Sequence, residues 1–191
     1  RRAEERLLAE WAPRERIDFE EFSSYYPVAV TAQMIGAPIE AIPGLRRSME
    51  TMGLGMSLDP SRLPQLNEAV LHLEQFSEEL IAERRRNPRS GETADLPDML
   101  LEASDEGGIS HRQLVDLLIF LFVAGYDTSK NVFTYMMHLM MDHPAIYQRC
   151  AEDYEYCRKV VEESLRVFNP STTFRFTDQE VVYRDVVLPK D

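Results

Sequence analysis

The hydrophobic pattern of the chain is strongest between Ser110 and Met141, where it predicts one long helix. Ser110 and Gln113 have the spacing of a capping box, in which each side chain satisfies the other residue's unpaired amide. Every residue from 117 to 123 is apolar, and a helix that is apolar on all sides is expected to be buried. Because no proline interrupts the pattern before Pro144, the helix is expected to span about 30 residues and roughly 45 Å.

Shorter helices are predicted on both sides of this long helix. Apolar residues recur at helical spacing from Leu66 to Arg86, which indicates an amphipathic helix. The three arginines at its end suit the helix dipole and are interpreted as a solvated helix end. Residues 87–95 are polar and contain proline and glycine, so we expect a turn-rich loop and the most accessible protease site there. The remaining predicted helices cover 1–11, 20–35, the first part of 40–64, 95–106, the residues from 144 onward and 157–168.

The C-terminal residues have a different pattern. After Pro170 the chain is rich in Thr, Phe, Val and Tyr, with alternation from Thr172 to Thr177 and from Val181 to Leu188. Such alternation is typical of strands, so we expect a small antiparallel sheet near the C-terminus. A short strand or turn is also expected at 17–19. The whole pattern predicts a mainly α fold in which a long central helix is surrounded by other helices.

Composition and charge narrow the possible functions. The chain has 191 residues, of which 44% are hydrophobic, and this is enough for a sizeable core and argues against disorder. Its net charge of −12 argues against nucleic-acid phosphates and anionic membrane surfaces as partners. No apolar run reaches the roughly 18 residues that a membrane span requires, and the N-terminal residues lack a signal-peptide core. We therefore expect a soluble cytoplasmic protein.

The sequence offers no metal site made by the protein alone. Cys150 and Cys157 lie seven residues apart, which is the spacing of neither a redox pair nor a zinc site. We interpret them as free, partly buried thiols. The four histidines do not form a His-Glu-x-x-His arrangement, so they indicate no metalloprotease-type site either.

The middle of the long helix interrupts its apolar character. Gly125 costs about 1 kcal/mol relative to alanine inside a helix, and Asp127 places a carboxylate beside an apolar run, where desolvation is unfavourable. The Thr128 hydroxyl is placed to bond the Ala124 carbonyl, an interaction that bends helices. One interpretation is a local groove with an acid and a hydroxyl at its edge, of the kind found at functional sites. The other is a tolerated glycine beside a surface-facing Asp-Thr pair.

Two motifs in this region resemble one protein family. Ala124-Gly125-Tyr126-Asp127-Thr128 resembles the Ala/Gly-Gly-x-Asp/Glu-Thr oxygen-binding motif on the long central helix of cytochrome P-450 monooxygenases. Glu163-Ser-Leu-Arg166 resembles the family's Glu-x-x-Arg helix, and it is followed by Phe168-Asn-Pro170 and Arg175. Because the order and spacing of both motifs agree with the family, the resemblance extends over essentially the whole chain.

The resemblance implies a partial cytochrome P-450 fold of the soluble bacterial type. Residues 1–191 would be the central part of a single domain, without its N-terminal portion and without the C-terminal loop that carries the thiolate ligand. Neither Cys150 nor Cys157 has the glycine-bracketed setting of that loop, and both precede the Glu-x-x-Arg helix. The axial cysteine is therefore expected beyond Asp191, and the 191 residues alone are expected to be inactive.

The function implied by the resemblance is that of a haem-thiolate monooxygenase. Such an enzyme inserts one oxygen atom from dioxygen into an apolar small molecule, with haem as its cofactor. The electrons come ultimately from NAD(P)H through a ferredoxin- or flavoprotein-type donor. The other expected properties are a monomeric state, the absence of a nucleic-acid partner and the absence of a membrane span.

The resemblance also assigns roles to individual residues. The catalytic candidates are Asp127, which passes protons inward from solvent, and Thr128, which hydrogen-bonds dioxygen and holds a water for proton delivery. The cofactor-binding candidates are Ala124, Gly125, Thr128 and, through a haem propionate, Arg175. Glu163 and Arg166 are expected to form a buried structural pair without a chemical role. The substrate-pocket candidates are Leu54, Met56, Leu58 and Phe122.

Other interpretations stay open at this point. Leu54, Met56 and Leu58 are equally consistent with ordinary packing, and Arg175 is consistent with an exposed strand arginine. If the chain is complete, a haem-free pseudoenzyme or helical interaction domain is the alternative function. A non-oxidative helical binding module that matches both motifs by chance is a further alternative, which the joint spacing of the motifs disfavours.

Overall fold

The helices of the computed structural model follow the predicted order along residues 2–89, 91, 94–171 and 175–190, which the structure describes. These residues form eight α-helices and one pair of strands. Short 3-10 turns at 39–41, 54–57 and 60–62 connect α2, α3 and α4. The helices are α1 (Arg2–Trp11), α2 (Phe19–Met34), α3 (Ile42–Gly53), α4 (Leu63–Arg86), α5 (Leu96–Asp105), α6 (His111–Asp142), α7 (Pro144–Glu152) and α8 (Tyr154–Phe168).

The predicted long helix is confirmed as α6, which has 32 residues and a capping box at its start. The Ser110 hydroxyl accepts a hydrogen bond from the Gln113 amide at 3.2 Å, and Gln113 Oε1 accepts one from the Ser110 amide at 2.8 Å. The expected burial on all sides is wrong, because Leu117 and Phe120 are exposed. The other helices cover only one side of α6, so the apolar residues of the opposite side stay accessible.

The core lies on the side of α6 that contacts α2, α3 and α4. Leu114, Leu118, Phe122 and Tyr126 recur every four residues and are all buried, so they line one side of the helix. The other helices contribute further core residues, among them Val28, Ile35, Leu45, Met49, Leu73, Leu80 and Ile81. This packing holds the middle of α6 firmly against α3.

Residues 17–19, which were predicted to form a short strand or turn, contain the N-terminal cap of α2. The strand at 17–19 is wrong, because Asp18 is the N-cap of α2 and Phe19 is its first residue. Asp18 Oδ1 accepts hydrogen bonds from the amides of Glu20 at 2.9 Å and Glu21 at 3.2 Å. Aspartate is favoured at this position because its side chain satisfies free amides of the first turn.

The end of α4 is buried at Arg84, so the prediction of a solvated helix end is wrong for this residue. Arg84 is 5% exposed; it donates to Asp98 Oδ2 at 2.6 Å and to both carboxylate oxygens of Asp95. Gly36 lies against the guanidinium, since a Cβ at that position would be 2.5 Å from Arg84 Nη2. We call Arg84, Asp95 and Asp98 the Arg84 cluster. It joins the end of α4 to the start of α5.

The second half of the predicted sheet is confirmed. β1 (Val181–Tyr183) pairs antiparallel with β2 (Val186–Leu188). Residues 175–177 of the predicted strand over 172–177 are not in a strand, and residues 172–174 lie outside the described residues. Residues 90, 92 and 93 of the predicted loop also lie outside them. Within the described part of the chain, no helix is sufficiently long and apolar to cross a membrane.

Candidate functional site

One exposed side of α6 carries the hydroxyl of Thr128, a predicted site residue. Thr128 Oγ1 donates a hydrogen bond to the Ala124 carbonyl oxygen at 2.7 Å, which confirms the predicted bond to the preceding turn. Ala124 and Thr128 are both exposed, and their four-residue spacing places them on the same side of the helix. The exposed residues Leu117 and Phe120 continue this side toward the start of α6. We call Leu117, Phe120, Ala124 and Thr128 the open face.

Asp127 directly precedes Thr128 on α6, and its carboxylate lies against Gly53 at the end of α3. A Cβ at Gly53 would be 2.5 Å from Asp127 Oδ2, so the absence of a side chain at Gly53 permits this approach. Burial raises the pKa of Asp127, the Lys130 charge partly offsets this, and the nearby Glu50 carboxylate adds to it. The pKa of Asp127 is therefore raised above that of an exposed aspartate. Asp127 holds a proton more readily than an exposed aspartate does.

Tyr126 belongs to the site although the motif leaves its position unspecified. It is 2% exposed, and its hydroxyl donates to Glu50 Oε1 at 3.3 Å. Burial, more than any other cause, raises the pKa of Tyr126 far above its ordinary value, so the hydroxyl keeps its proton. Glu50 also forms an ion pair with Arg46 at 3.3 Å. The signal in the sequence was a hydrogen-bonding aromatic residue four positions after the apolar Phe122.

Residues of α2 complete this polar network. Lys130 Nζ lies 3.3 Å from Glu20 Oε1, and it stands over the Tyr126 ring at 5.9 Å from the centroid. Arg46 Nη1 donates to the Ser24 hydroxyl at 3.2 Å. Helices α2, α3 and α6 therefore each contribute charged or polar groups to the surroundings of the acid.

Gly125 faces α2 and not the open face. A Cβ at Gly125 would be 3.5 Å from Thr31 Oγ1, an ordinary van der Waals contact. Both residues line a cavity of about 310 Å³ between α2 and α6. The structure therefore places the two small residues of the motif on different sides of the helix, with Ala124 alone on the open face.

A cavity of about 570 Å³ opens beside Thr128. Five residues of α6 line it, together with residues of α1, α2 and α8 and Pro170. Most of the lining is apolar and includes Leu7, Leu8, Phe22, Val132, Phe133, Val161 and Leu165. Thr128 therefore belongs to the open face and also lines a largely apolar cavity.

The structure divides the four substrate-pocket candidates into two groups. Leu54, Met56 and Leu58 directly follow α3 and are exposed, the last two to 87%. Leu58 has a φ of 53°, and a bulky residue in the left-handed region indicates a strained turn. Phe122 is instead buried in the core, with its ring edge-on to Phe76 at 6.0 Å. Phe122 therefore lies on a different side of α6 from the open face.

The Glu163–Arg166 pair forms, but its expected burial is wrong. Arg166 donates to the two carboxylate oxygens of Glu163 at 2.6 and 2.7 Å, and both side chains are exposed. The pair projects away from the packed side of α8, which buries Ser164. The hydrogen bond from Arg166 lowers the pKa of Glu163. Arg175, the predicted propionate partner, is exposed as well.

The cysteines lie on helices other than α6, Cys150 on α7 and Cys157 on α8. Cys150 and Cys157 are both free and partly buried, and burial raises the pKa of the Cys150 thiol. In the part of the chain that the structure describes, no three His, Cys, Asp or Glu side chains gather as a metal site. Of the predicted site residues, Ala124 and Thr128 lie on the open face, and Asp127, which precedes Thr128 in sequence, lies against α3.

Sequence comparison relates the chain to proteins of known family. The family model described as cytochrome P-450 matches residues 56–191. A cytochrome P-450 of Bacillus subtilis (strain 168) is 27% identical over 172 residues, which cover 85% of this chain and 41% of that protein. Vitamin D(3) 25-hydroxylase of Pseudonocardia autotrophica is 28% identical over 173 residues, with coverage of 88% and 41%. The chain therefore spans about two fifths of the length of these relatives.

Solved structures have the same fold. A cytochrome P-450 of Bacillus megaterium in complex with testosterone matches with a TM-score of 0.81 and 26% identity, over 99% of this chain and 51% of that one. The cytochrome P-450 BioI, solved with an acyl carrier protein, matches with a TM-score of 0.80 and 21% identity, over 97% and 48%. This second likeness concerns the fold alone. Because the family model covers most of the chain and the fold agrees along nearly all of it, the chain belongs to the cytochrome P-450 family.

Proposed function

We propose that the protein to which this chain belongs is a haem-thiolate monooxygenase that inserts one oxygen atom from dioxygen into an apolar small molecule. The observation that carries this proposal is the arrangement at the open face. There the Thr128 hydroxyl lies beside apolar space, and the neighbouring Asp127 has a raised pKa. An acid and a hydroxyl at the edge of apolar space suit proton delivery to a reaction from which bulk water is excluded.

The open face fits a flat, largely apolar cofactor. Leu117 and Phe120 are exposed apolar side chains, and the small side chain of Ala124 lets a ring system approach the helix beside Thr128. We propose that these residues contact haem and that the exposed Arg175 pairs with one of its propionates. When bound, haem supplies the activation of dioxygen with electrons from a redox partner.

Asp127 and Thr128 would divide the proton transfer between them. Burial raises the pKa of the Asp127 carboxyl, so it takes up a proton more readily than an exposed aspartate does, and Asp127 keeps part of its surface accessible to solvent. Thr128 Oγ1 donates a hydrogen bond to the Ala124 carbonyl oxygen, so its lone pairs are left to accept a hydrogen bond, for example from a water. We propose that Asp127 passes protons inward and that Thr128 orients them at the open face.

The proposed substrate is an apolar small molecule that contacts the residues after α3. Leu54, Met56 and Leu58 are exposed apolar side chains, and methionine adapts readily to differently shaped partners. A relative named vitamin D(3) 25-hydroxylase and a structure with testosterone support a substrate of this class. The proposed electron donor is a ferredoxin- or flavoprotein-type protein. The haem-free alternative is not favoured, because relatives such as 6-deoxyerythronolide B hydroxylase are named as enzymes of this chemistry.

The test is a Thr128→Ala substitution in the full-length, haem-loaded protein. We expect NAD(P)H oxidation to continue while the amount of product per NAD(P)H falls about tenfold or more, because positioned proton transfer contributes at least that factor. The matched control is Thr134→Ala, since the Thr134 hydroxyl makes the same bond to the preceding turn at 2.9 Å but faces Ser23 of α2. Coupling that stays complete in Thr128→Ala would contradict the proposed role of Thr128.

A further inference from the structure

We infer that Cys150 and Cys157 form a redox pair, which a small disulfide such as oxidised glutathione converts into an internal disulfide bond. Both residues lie on helices other than α6, so this pair is independent of the function proposed for the open face. Their seven-residue spacing in the sequence is not that of a redox motif. The corner between α7 and α8 brings the two thiols together instead.

Asp153 alone separates α7 from α8, and its backbone is extended. The Asp153 amide donates a hydrogen bond to the Arg149 carbonyl oxygen at 2.9 Å, and the Cys157 amide donates one to the Asp153 carbonyl oxygen at 2.9 Å. Asp153 Oδ1 also accepts a hydrogen bond from the Tyr156 amide at 2.9 Å. These bonds fix the corner to the last turn of α7 and to the first turn of α8.

Side chains from the two helices meet in adjacent pairs across this corner. The Arg149 guanidinium lies over the Tyr156 ring, 3.9 Å from its centroid. One position further along each helix, the Cys157 side chain is hydrogen-bonded to the Cys150 thiol. Because the two sulfur atoms are already in contact, side-chain rotation and a small shift of the helices bring them to the S–S bond length of about 2.0 Å.

Both thiols are accessible to a small reagent. Cys150 and Cys157 are only partly buried, and all residues from 151 to 155 are exposed. Burial, more than any other cause, raises the pKa of the Cys150 thiol, and the neighbouring Cys157 adds to this effect. Since the thiolate is the nucleophile, a thiol with a raised pKa attacks an external disulfide slowly. The first attack is therefore assigned to Cys157.

The oxidation consists of two thiol–disulfide exchange steps. The Cys157 thiolate attacks one sulfur of oxidised glutathione, so that a mixed disulfide forms, the glutathione S–S bond breaks and one glutathione thiolate leaves. The Cys150 sulfur, after losing its proton to solvent, attacks the Cys157 sulfur, so that the internal bond forms and the second glutathione leaves. Two cysteine thiols are thereby oxidised, and one glutathione disulfide is reduced to two thiols, which take up the two protons.

The second step is intramolecular, and this favours the internal bond over the mixed disulfide. Groups held in contact react much faster than the same groups free in solution, which offsets the raised pKa of Cys150. The resulting bond joins α7 to α8 at their corner. Excess reduced glutathione reverses both steps and releases the two thiols again.

The test exposes the full-length, haem-loaded protein to oxidised glutathione and maps its cysteine-containing peptides by mass spectrometry. In the unsubstituted protein we expect a bond between Cys150 and Cys157, little bound glutathione, and recovery of both thiols with dithiothreitol. In Cys150→Ser the second step is impossible, so glutathione should stay on Cys157. In Cys157→Ser the remaining thiol has a raised pKa, so Cys150 should take up glutathione several times more slowly.

Two results in the unsubstituted protein would overturn the redox pair. One is that both cysteines stay reduced in oxidised glutathione, and the other is that each carries glutathione without an internal bond. Equal rates of glutathione uptake in the two single variants would overturn the assigned order of attack. None of these results alters the coupling expected for Thr128→Ala, so a failure of the redox pair is distinguishable from a failure of the proposed function.

Discussion

Two groups of arginine and carboxylate side chains in this protein have nearly the same N–O distances, but one group is buried and the other is exposed. In the Arg84 cluster the guanidinium lies 2.6 Å from Asp98 Oδ2, and in the Glu163–Arg166 pair the shortest separation is also 2.6 Å. The Arg84 side chain is 5% exposed, whereas that of Arg166 is 69% exposed. The residue pattern predicted a solvated arginine at the end of α4, and the family resemblance implied a buried pair on α8.

The difference shows that local spacing creates an ion pair while distant residues decide its burial. Glu163 and Arg166 are three residues apart on one helix, so they meet wherever α8 lies. Arg84 instead meets residues 11 and 14 positions away. Burial raises the pKa of Asp98, but hydrogen bonds from the Asp95 and Arg89 amides and the charge of Arg84 outweigh it, so the pKa is lowered. The carboxylate stays ionised inside the structure because every partner is present.

The largest effect is expected from Arg84→Met. This substitution leaves the carboxylates of Asp95 and Asp98 partly buried without their main cation, and breaking a buried pair in this way costs on the order of 3 kcal/mol. Equilibrium denaturation by urea would measure the loss in the free energy of unfolding. The matched control is Arg85→Met, whose side chain pairs with Asp105 at 2.7 Å in an exposed position. Such a pair contributes about 0–1 kcal/mol, so equal losses in the two variants would contradict the comparison.

An intermediate effect is expected from Gly36→Ala. Gly36 has a φ of 64°, and a non-glycine residue in this region costs about 1–3 kcal/mol. The added Cβ would also displace the Arg84 guanidinium from Asp95, since it would be 2.5 Å from Nη2. The control Gly107→Ala has a φ of 80° with no atom within 4 Å of the new Cβ. Thermal unfolding should therefore show a larger drop for Gly36→Ala than for Gly107→Ala, and equal drops would show that the cluster tolerates displacement.

The smallest effect is expected from Arg166→Ala. Both partners of the Glu163–Arg166 pair are exposed, so water and salt screen the attraction and replace the lost hydrogen bonds. We expect the same unfolding midpoint as in the unsubstituted 191-residue chain, within the error of a thermal denaturation experiment. A clear drop in that chain would mean that the pair stabilises packing that the exposed geometry does not show.

The sequence predicted those parts of the fold that depend on near neighbours. The capping box at Ser110 and the Thr128 bond to Ala124 each join residues three or four positions apart, and such bonds form whenever the segment is helical. The order of the helices and the hairpin at 181–188 follow from the same local patterns. The family motif also depends on adjacent residues, so it was visible without any knowledge of the packing.

The tertiary structure alone decided which side of each helix is covered. Phe120 and Phe122 are equally apolar and two residues apart, yet only Phe122 is buried, because α3 and α4 cover one side of α6. The same packing brings the Tyr126 hydroxyl to Glu50 and the Asp127 carboxylate to Gly53, and each pair is separated by more than 70 residues of sequence. Burial and the pKa of a buried group depend on all atoms nearby. The sequence by itself therefore determined which residues are the candidates for the chemistry, and the packing of α3 on α6 determined their environment.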